Sequence, residues 1–522
     1  MNLLDLPGYL TSRKSFHLMS SQALTGIAFD KEAAEKLVVR IQHEMQEIEQ
    51  DVEPTLPPCP LNKGETKEFT VPAKPFKKDG TLSATMEKFL SKHGLTAHRE
   101  GDNVPYIQWV DGSFHTIEAG YVLPATKPMH LGNQDDLKDW LLEKGWKPTL
   151  FNLKKGPNGK PERDKKTGGY IKTSPKMQDQ GRLCPNLEAL DGDLVRSVVR
   201  WLSLRNRLSV VSGWLEDPRL AFDGCLSAGS AGITNTFRQK HTTVVNLPKA
   251  EDGVTLGKEV RSLFVARAGR VLVGYDASAL ENRMEAHYVY RYPGGVEYGE
   301  EILSGDPHKK NAFVFYPDAL ALLRLEFDTT DKEIPAFKPF RSKSKNGKYC
   351  LTYGGSGRKL AATLGLPEHM GDSLYEAFWQ ANKPLALLKQ ALELFWETTG
   401  QKKWVKGLDG RRVYTRSRHS LVNALFQSAG AIIMDTSILY MDKWLGGISV
   451  DSEGTPCYHY KGHTIYRVAY QHDELQWDCP SEIAEEIGRM GCKSIEQTGR
   501  YYKMKVALAG EWKAGKNWSE VH

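Results

Sequence analysis

Apolar side chains recur at intervals of three or four residues in several segments of the N-terminal half, which is the spacing of one helix face. The clearest segment is 29–50, where Asp30 is placed to cap a helix and the apolar positions are Ala34, Leu37, Ile41, Met45 and Ile48. Similar spacing predicts a short helix after Asn133 and a longer one over about 193–212. The pattern therefore predicts three helices in this part of the chain.

The helical spacing is interrupted over residues 51–125, where proline, glycine, threonine and lysine are frequent and strand-like pieces such as 106–110 are short. This segment is predicted to be an inserted, basic, loop-rich module. Beyond Val271, strand-like and helical segments mix without the regular alternation of strand and helix that a βαβ fold shows. We therefore predict an α+β fold rather than a doubly wound sheet.

Composition narrows the class of protein. A chain of 522 residues with 40% apolar content is large enough for about three or four domains. Its longest apolar runs are far shorter than the roughly 20 residues that cross a bilayer, and its N-terminus lacks the features of a secretory signal. The seven cysteines are scattered and never spaced as CxxC, which indicates neither a disulfide framework nor a zinc site. We expect an intracellular protein without a membrane partner, whose net charge of +6 permits a polyanionic one.

Two carboxylates lie at the ends of strand-like runs that are far apart in the sequence. Asp276 follows the apolar run 271–275, and Asp473 lies at the tip of a predicted hairpin over 466–477. Each has an ordinary structural explanation on its own, because a Ser-x-x-Glu pair can cap a helix and aspartate is common in turns. Together they match two-metal phosphoryl transfer, in which anionic oxygens hold two cations about 4 Å apart.

A third segment repeats cations and tyrosines every four residues: Arg341, Lys345, Tyr349 and Tyr353. On a helix this spacing keeps the four side chains on one slowly drifting face. Arginine grips phosphate bidentately, lysine supplies a point charge, and tyrosine stacks on a base. The dipeptide 346–347 is Asn-Gly, which favours a turn, and glycine costs about 1 kcal/mol inside a helix. Helix and turn both remain open for this segment.

In order and character, the segments DASALE, RSKSKNGKYCLTYG and HDE resemble motifs A, B and C of family A (DNA polymerase I type) DNA polymerases. The resemblance is closest to the replicative enzymes of short-tailed T-odd bacteriophages. It extends from about Thr25 to the C-terminus through TGIAFDKEAAEKL, NLPK, GDPHKKNA and HSLVNALFQSAGAII. It implies a right-hand polymerase fold with palm, fingers and thumb.

The resemblance also implies a domain order. The N-terminal segment and thumb would occupy 1–220 and include the module at 51–125. The palm would be split between 221–300 and 405–522, with the fingers at 301–404. The implied function is template-directed extension of a primer 3′ end with dNTPs and release of pyrophosphate. Two Mg²⁺ ions, which Mn²⁺ can replace, would be the cofactors, and the cytoplasm of an infected bacterial host the location.

The metal ligands implied by the resemblance are Asp276, Asp473 and the backbone carbonyl of Ala277. Glu474 would be an accessory acid near the primer end, and His472 would help to position that end on the DNA. The catalytic residues would be Asp276, Asp473 and Glu474, together with Lys345 of the second motif.

Six residues would contact the incoming nucleotide. Arg341, Lys345 and His308 would bind the triphosphate, and Lys345 would neutralise or protonate the leaving pyrophosphate. The other three act on the sugar and base: Tyr353 would stack at the insertion site, Glu281 would exclude a ribose 2′-hydroxyl, and Tyr349 would replace the missing 3′-hydroxyl of dideoxynucleotides.

Three further residues would read the minor-groove acceptors that all correct base pairs share: Arg238, Asn423 and Gln427. The match around the first of them is imperfect. The spacing from Arg238 to Asn246 is one residue longer than the family pattern, and Phe237 stands where glycine is usual. An insertion in the fingers is also expected at about 313–335.

Barely two dozen residues precede the TGIAFD segment, so we expect this chain to lack the proofreading exonuclease of the phage enzymes, with any exonuclease supplied by a separate polypeptide. The module at 51–125 lies where those enzymes bind thioredoxin. Its Lys74, Lys77 and Lys78 are equally suited to contact DNA, and a simple elaboration of the thumb is a third possibility.

Two other functions compete with DNA synthesis. A single-subunit RNA polymerase shares the palm and the Arg/Lys/Tyr-Gly helix, but Glu281 argues against ribonucleotides. A catalytically inactive module that only grips primer-template DNA is opposed by the intact pair Asp276 and Asp473.

Overall fold

The computed structural model describes residues 7–60, 69–93, 95–98, 105–108, 114–120, 122–123, 126–164, 170–179, 182–184, 186–187, 190–251, 253–400, 403–415 and 417–521. These form two compact units. The first unit comprises residues 1–31 and 216–522, and the second unit comprises residues 32–215.

The helices begin and end as follows: α1 (Pro7–Thr25), α2 (Lys31–Val52), α3 (Ala84–His93), α4 (Gln134–Glu143), α5 (Asp193–Leu215), α6 (Pro218–Asp223), α7 (Gly257–Ser262), α8 (Leu280–Val289), α9 (Gly295–Ser304), α10 (Pro307–Phe315), α11 (Pro317–Leu322), α12 (Lys338–Thr352), α13 (Gly357–Leu364), α14 (Gly371–Ala381), α15 (Lys383–Thr398), α16 (Leu421–Trp444) and α17 (Ala484–Tyr501). The three helices predicted from apolar spacing correspond to α2, α4 and α5, and all three are confirmed.

The strands are short except near the predicted motifs: β1 (Ile27–Phe29), β2 (Cys59–Pro60), β3 (Phe69–Thr70), β4 (Ala97–His98), β5 (Tyr106–Gln108), β6 (Phe114–Thr116), β7 (Val122–Leu123), β8 (Thr126–Lys127), β9 (Phe151–Leu153), β10 (Lys172–Pro175), β11 (Gln178–Asp179), β12 (Arg182–Leu183), β13 (Cys225–Leu226), β14 (Ser230–Ile233), β15 (Gln239–His241), β16 (Phe264–Val265), β17 (Val271–Ala277), β18 (Trp404–Lys406), β19 (Arg412–Tyr414), β20 (Ser449–Val450), β21 (Pro456–Tyr460), β22 (His463–Gln471), β23 (Glu474–Cys479) and β24 (Gly510–Gly515).

A six-stranded sheet organises the first unit, with the strand order β20-β21-β22-β23-β17-β24 and antiparallel pairing throughout. Strand β17 lies between β23 and β24, so that Asp276 is opposite Glu474 on one side and Glu511 on the other. The sheet is antiparallel and its helices are not interleaved with parallel strands. This confirms the predicted α+β class.

Helix α16 is the main core helix of the first unit. The segment Arg418–Trp444 is long and apolar enough to cross a membrane, but 89% of its most apolar window is buried inside the protein. A helix that is apolar on all sides belongs in the interior of a large domain. The apolarity of this segment is therefore explained by core packing, next to the sheet-covering helix α17.

Helix α1 packs in the first unit, although its sequence gave no clear periodic signal. The Gln22 side chain donates a 2.6 Å hydrogen bond to the carbonyl of Ala228, and the buried Arg467 guanidinium donates to the carbonyl of Leu18. These bonds attach the helix to β22 and to the segment between β13 and β14, both within the predicted palm. Residues 1–31 thus pack with 216–522, whereas the predicted domain order grouped them within 1–220.

Helix α12 continues through the Asn-Gly dipeptide that favoured a turn. A Cβ atom at Gly347 would lie 2.8 Å from Leu364 Cδ2 and 2.9 Å from Phe315 Cε2. The glycine is therefore required by the close approach of α13 and α10 to this side of α12, and the turn interpretation is wrong. The four residues of the cation and tyrosine repeat lie within this helix or, for Tyr353, directly after it.

In the second unit, α2 and α5 are joined by polar contacts between their faces. Arg200 Nε lies 2.5 Å from Glu44 Oε1, and Trp201 Nε1 donates a 2.9 Å hydrogen bond to Glu49 Oε1. The cationic side chain of Arg200 is therefore held against an acidic residue of α2.

The described parts of the 51–125 module form a small folded body rather than only loops. Its core contains Val71, Met86, Leu90, Ile107 and Ile117, which come from α3, β5 and neighbouring turns. Strands β4, β5 and β6 form an antiparallel sheet. The segment carries eight lysines and arginines against ten aspartates and glutamates. Its net charge is therefore slightly negative, and the prediction of a basic module is wrong.

Candidate active site

The two predicted metal carboxylates are brought to one place by neighbouring strands. Asp276 lies near the end of β17, and Asp473 lies in the turn between β22 and β23. The backbone N–H of Ala277 donates a 3.2 Å hydrogen bond to the carbonyl of Asp473, which ties the two segments together. Both aspartates line a single cavity of 280 Å³. The hairpin predicted from sequence is confirmed, and its acidic tip faces the end of β17.

The C-terminal strand β24 adds one acid that the sequence analysis missed, Glu511. Glu511 lines the same cavity as Asp276 and pairs with it across the sheet. Its carboxylate accepts a 3.0 Å hydrogen bond from the Ser278 hydroxyl. Ser278 therefore does not cap α8, whose N-terminal position is Ala279 without a side-chain cap, and the capping-box alternative is wrong.

The electrostatics of this cavity favour a bound cation. Asp473 keeps contact with solvent, yet the surrounding protein displaces enough water to raise the pKa of its carboxyl, and the Glu474 charge adds to the rise. A backbone N–H, His472 and Arg238 oppose the rise without cancelling it. A carboxylate that is destabilised by burial and by a like charge gains from a nearby cation.

The donor set suits Mg²⁺. The described residues contain no group of three or more histidines, cysteines, aspartates or glutamates arranged to hold a metal by themselves. Mg²⁺ does not need one, because it usually takes one or two carboxylates and completes its shell with water and substrate phosphates. Asp276, Asp473 and the carbonyl of Ala277 supply hard oxygen atoms of this kind. The residues present therefore fit the ion that the resemblance implies.

Glu474 lines the cavity but is held by the protein. Its Oε1 atom accepts hydrogen bonds of 2.6 Å from both the Gln476 amide and the Trp518 indole N–H. The buried Arg261 guanidinium lies 4.0 Å from its other oxygen. Sequence reasoning missed Trp518 and Arg261, since both come from segments distant from the motif. The predicted accessory acid is thus fixed in orientation rather than free to rotate.

His472 lies in the hairpin turn with a left-handed backbone conformation (φ 60°). Its ring makes an edge-to-face contact with His241, with centroids 5.5 Å apart. Burial lowers the pKa of His241 to about 4, and the neighbouring His472 contributes to the lowering. His241 is accordingly a neutral support for the turn at physiological pH.

The predicted triphosphate-binding residues converge at the N-terminus of α10. Asp306 caps this helix by accepting from the backbone N–H groups of His308 (3.0 Å) and Lys309 (3.2 Å). The same carboxylate pairs with the Arg341 guanidinium of α12. Burial lowers the pKa of His308 to about 4, with Lys348 the largest charge contribution. The structure thus brings His308 and Arg341 to one surface.

Lys345 lies one turn further along α12 and is half-buried. Burial lowers the pKa of its ammonium, and the neighbouring cations Lys249 and Arg341 lower it further, against the opposing charge of Glu251. Cations that lie close together repel one another, and an anion bound among them stabilises their charged forms. This surface is suited to a polyphosphate.

The residues predicted to select the sugar and base also lie together. The Tyr353 hydroxyl lies 3.5 Å from Glu281 Oε2, and the rings of Tyr349 and Tyr353 have centroids 5.8 Å apart. Burial raises the pKa of the Glu281 carboxyl, with Arg238 opposing. Burial, followed by the charge of Glu281, raises the pKa of Tyr349 to about 12, so its hydroxyl is protonated and able to donate.

The three predicted minor-groove residues lie around the same site. Thr236 donates a 3.5 Å hydrogen bond to Gln427 Oε1, and Asn423 Oδ1 is buried without a hydrogen-bond partner in the described part of the chain. Arg238 is close enough to lower the pKa values of both Glu281 and Asp473.

The replacement of the usual glycine before Arg238 is accommodated. Phe237 adopts φ 66°, a left-handed conformation that glycine normally supplies. The Arg411 guanidinium lies over its ring at 4.1 Å from the centroid. A cation–π contact of this kind offsets backbone strain, which explains how phenylalanine is tolerated here.

Comparisons with known proteins show which family the chain resembles. Residues 231–520 match the sequence profile of DNA polymerase family A. The DNA-directed DNA polymerases of Enterobacteria phage T3 and Escherichia phage T7 are each 25% identical over 537 residues, which covers 97% of this chain and 68% of each phage protein. The DNA-directed DNA polymerase of Escherichia phage Phieco32 is 23% identical over 645 residues, with 99% of both chains covered.

Among solved structures, the POL domain of Pol1 from M. smegmatis in complex with DNA primer-template and dNTP superposes with a TM-score of 0.61 at 16% sequence identity. The match covers 99% of this chain and 70% of that one. At this identity the likeness concerns the fold, and it confirms the predicted right-hand polymerase architecture.

Proposed function

The chain belongs to DNA polymerase family A, and from that membership we propose that it extends the 3′ end of a primer on a DNA template with dNTPs and releases pyrophosphate. One observation carries the proposal. Asp276 and Asp473, almost two hundred residues apart, line one cavity, and helix α12, which carries Arg341 and Lys345, brings Tyr349 close enough to Asp473 for that charge to help raise the Tyr349 pKa.

Asp276, Asp473 and the carbonyl of Ala277 would hold two Mg²⁺ ions, for which Mn²⁺ can substitute. When bound, such ions supply Lewis acidity and offset the negative charge that develops during phosphoryl transfer. Glu474, fixed by Trp518, presents its remaining oxygen near the primer end. The protein's part is to hold these oxygens rigidly, because Asp276 and Ala277 lie on β17 and Asp473 lies in the short turn between the paired strands β22 and β23.

The triphosphate binds the cationic surface of α10 and α12. Arg341 and His308 orient the phosphates, and Lys345 neutralises or protonates the pyrophosphate as the bond from the α-phosphorus to its leaving oxygen breaks. The lowered pKa of Lys345 makes it a better proton donor than an exposed lysine. The primer 3′ oxygen forms the new bond to the same phosphorus.

Base and sugar are selected by residues that share the site. Tyr353 stacks at the insertion position, and Glu281 fills the space that a ribose 2′-hydroxyl needs. Arg238 and the side-chain amide N–H groups of Asn423 and Gln427 donate to the minor-groove acceptors of the new pair.

Tyr349→Phe is expected to reduce dideoxynucleotide incorporation by about 10- to 100-fold, the range for loss of a buried hydrogen bond to a charged group. The protonated Tyr349 hydroxyl would replace the missing 3′-hydroxyl of the analogue. Ratios of kcat/KM for dideoxy- and deoxynucleotides measure the effect. Unchanged discrimination in the phenylalanine variant would refute this role.

A primer-extension assay tests the function as a whole. With Mg²⁺ and a recessed 3′ end, dNTPs are expected to give template-length products, and EDTA is expected to stop the reaction. Extension with ribonucleotides alone would indicate a single-subunit RNA polymerase, against which the position of Glu281 beside Tyr353 argues. Tight primer-template binding without extension would indicate an inactive binding module.

The module at 51–125 is proposed to bind a partner through the outer face of its sheet. His98 stacks on Tyr106 with centroids 5.7 Å apart, Phe114 contacts Tyr106 edge to face, and 63% of Phe114 is exposed. Exposed aromatic rings on a sheet are typical stacking platforms for single-stranded DNA. Because the module is not basic in net charge, this face favours stacking over purely electrostatic contact by Lys74, Lys77 and Lys78. Thioredoxin is the alternative occupant.

Deleting the module and measuring product length with and without thioredoxin separates these two occupants. Products shortened in both conditions indicate a direct DNA contact, and products shortened only with thioredoxin present indicate a protein partner. A Phe114→Ser variant is the matched, smaller change, because it removes a ring that is 63% exposed and leaves the described module core intact.

The domain order proposed for this activity is a thumb within 1–220, a palm at 221–300 and 405–522, and fingers at 301–404. The phage relatives further support a role in the cytoplasm of an infected bacterium.

A further inference from the structure

A buried ion pair joins the motif A helix to the motif B helix. Lys348 Nζ of α12 lies 2.9 Å from Glu285 Oε2 of α8, and the two side chains are only 3% and 2% exposed. Taking two charges out of water costs so much that an apolar pair of similar volume usually serves stability as well or better. The charged pair therefore needs an explanation other than stability.

The pair belongs to a chain of buried hydrogen bonds. The Tyr298 hydroxyl donates to Glu285 Oε1 at 2.6 Å and lies 3.3 Å from Asn382 Oδ1. The Asn382 amide donates to Asn311 Oδ1 at 3.1 Å, and the Asn311 amide donates to the carbonyl of Pro307 at 2.8 Å. This series of side-chain contacts runs from α8 through α9 and the start of α15 to the first turn of α10. An apolar replacement of Glu285 would leave the Tyr298 hydroxyl without its closest acceptor.

Each end of this chain adjoins a residue of the nucleotide site. Lys348 precedes Tyr349, Glu285 lies one helical turn after Glu281, and Pro307 precedes His308. The charges of Lys348 and Glu285 change the pKa values of these neighbouring residues. Lys348 is the largest charge contribution to the lowered pKa of His308, and Glu285 contributes to the raised pKa values of Glu281 and Tyr349.

We propose that the Glu285–Lys348 pair is a positioning element that fixes Tyr349 and His308 relative to Glu281, and thereby sets the affinity for the incoming nucleotide and the exclusion of ribonucleotides. The inference rests on the proposed function. A slide of one helix past the other would separate the two charges, which lie 2.9 Å apart, and leave both buried without a partner, whereas apolar contacts tolerate small slides. A charged pair thus holds the register of α8 and α12 more narrowly than leucine or methionine would.

Lys348→Met tests the inference in the full-length chain. Because misplacing a reacting group by about 1 Å costs on the order of 100-fold, we expect the KM for dNTPs to rise about 10- to 100-fold. Discrimination against ribonucleotides is expected to fall by a similar factor, while the KM for primer-template changes less than about twofold. Lys389→Met is the control, because it breaks another lysine–glutamate pair, Lys389–Glu393 at 2.6 Å, on α15. It is expected to leave all three quantities unchanged.

The double variant Glu285→Gln/Lys348→Met separates positioning from packing, because glutamine keeps an acceptor for the Tyr298 hydroxyl. It removes both charges, so its melting temperature is expected to recover toward that of the wild type. A recovered melting temperature with KM and ribonucleotide discrimination still impaired supports positioning. Recovery of all three together means that the pair only fills space, and overturns the proposal.

Glu285→Gln covers the case in which the double variant does not fold, because glutamine keeps the size of the side chain and an acceptor for Tyr298. Impaired discrimination in this variant, with a melting temperature within a few degrees of wild type, supports the proposal, and wild-type discrimination overturns it. Failure of the proposed function is distinguishable, since the wild-type chain would then add no nucleotide at all.

Discussion

Asp473→Asn is expected to lower the rate of nucleotide addition on the order of 10³-fold or more, since the charge stabilisation lost is several kcal/mol and each 1.36 kcal/mol is tenfold in rate. Asparagine keeps the size of the side chain but removes one of the two anionic oxygens that face Asp276 in the cavity. Single-turnover extension with saturating Mg²⁺ and dNTP measures the loss. Primer-template affinity is expected to change little, because binding of DNA does not require this carboxylate.

The same substitution should not destabilise the protein in the absence of divalent ions. The pKa of Asp473 is raised in the folded state, so the carboxyl binds its proton more tightly there than in the unfolded chain. The free energy of unfolding therefore falls as the pH rises through the folded pKa. At neutral pH the charged carboxylate is a net cost to the stability of the fold. The asparagine variant lacks this cost, and its melting temperature in EDTA is expected to equal or exceed that of the wild type.

Asp451→Asn is the matched control. Asp451 also lies in a turn next to the central sheet, where it accepts from the backbone N–H groups of Glu453 and Thr455 and from the Tyr466 hydroxyl. It does not line the cavity of Asp276 and Asp473. Nucleotide addition is expected to survive its replacement. Wild-type addition by Asp473→Asn, or equal losses in both variants, would contradict the assignment of the metal carboxylates.

Sequence reasoning succeeded where the signal was local. The run ending at Asp276 and the alternation before His472 each specify a strand with a polar end, because side chains on a strand alternate between two faces. The four-residue repeat from Arg341 to Tyr353 likewise specifies one helix face. The glycine at position 347 misled, because it is needed for the close approach of another helix, which is not visible in the local pattern.

Sequence reasoning failed where the partner is distant. Glu511 and Trp518 reach the site only because β24 pairs with β17, and a six-residue strand of mixed glycine, lysine and aromatic residues carries little period-2 signal. The Glu285–Lys348 pair could not be recognised either, because a charged residue in a helix is ordinarily read as solvent-exposed. Composition also overstated the looseness of the 51–125 module, whose core uses only a few apolar residues.

Gly491→Ala is expected to lower the free energy of unfolding by about 1–3 kcal/mol, the range for overpacking a well-filled core. The glycine lies on the face of α17 that covers the sheet, and a Cβ atom there would lie 2.3 Å from Cδ1 of Tyr275. Tyr275 is fully buried and precedes Asp276 in β17, so the ring cannot yield without moving the strand. Nucleotide addition should also fall, by up to about 100-fold for a 1 Å displacement of the carboxylate.

Gly213→Ala provides the contrast, because this glycine lies inside α5 with no atom within 4 Å of an added Cβ. Alanine is there expected to raise the stability of the helix by up to about 1 kcal/mol. Thermal unfolding of both variants measures the difference. Adding Tyr275→Leu to Gly491→Ala makes room for the methyl group, so the pair should recover part of the activity that the single variant loses. If Gly491→Ala were as stable and active as Gly213→Ala, then α17 would not press on the catalytic strand, and the rigidity attributed to Asp276 would need another source.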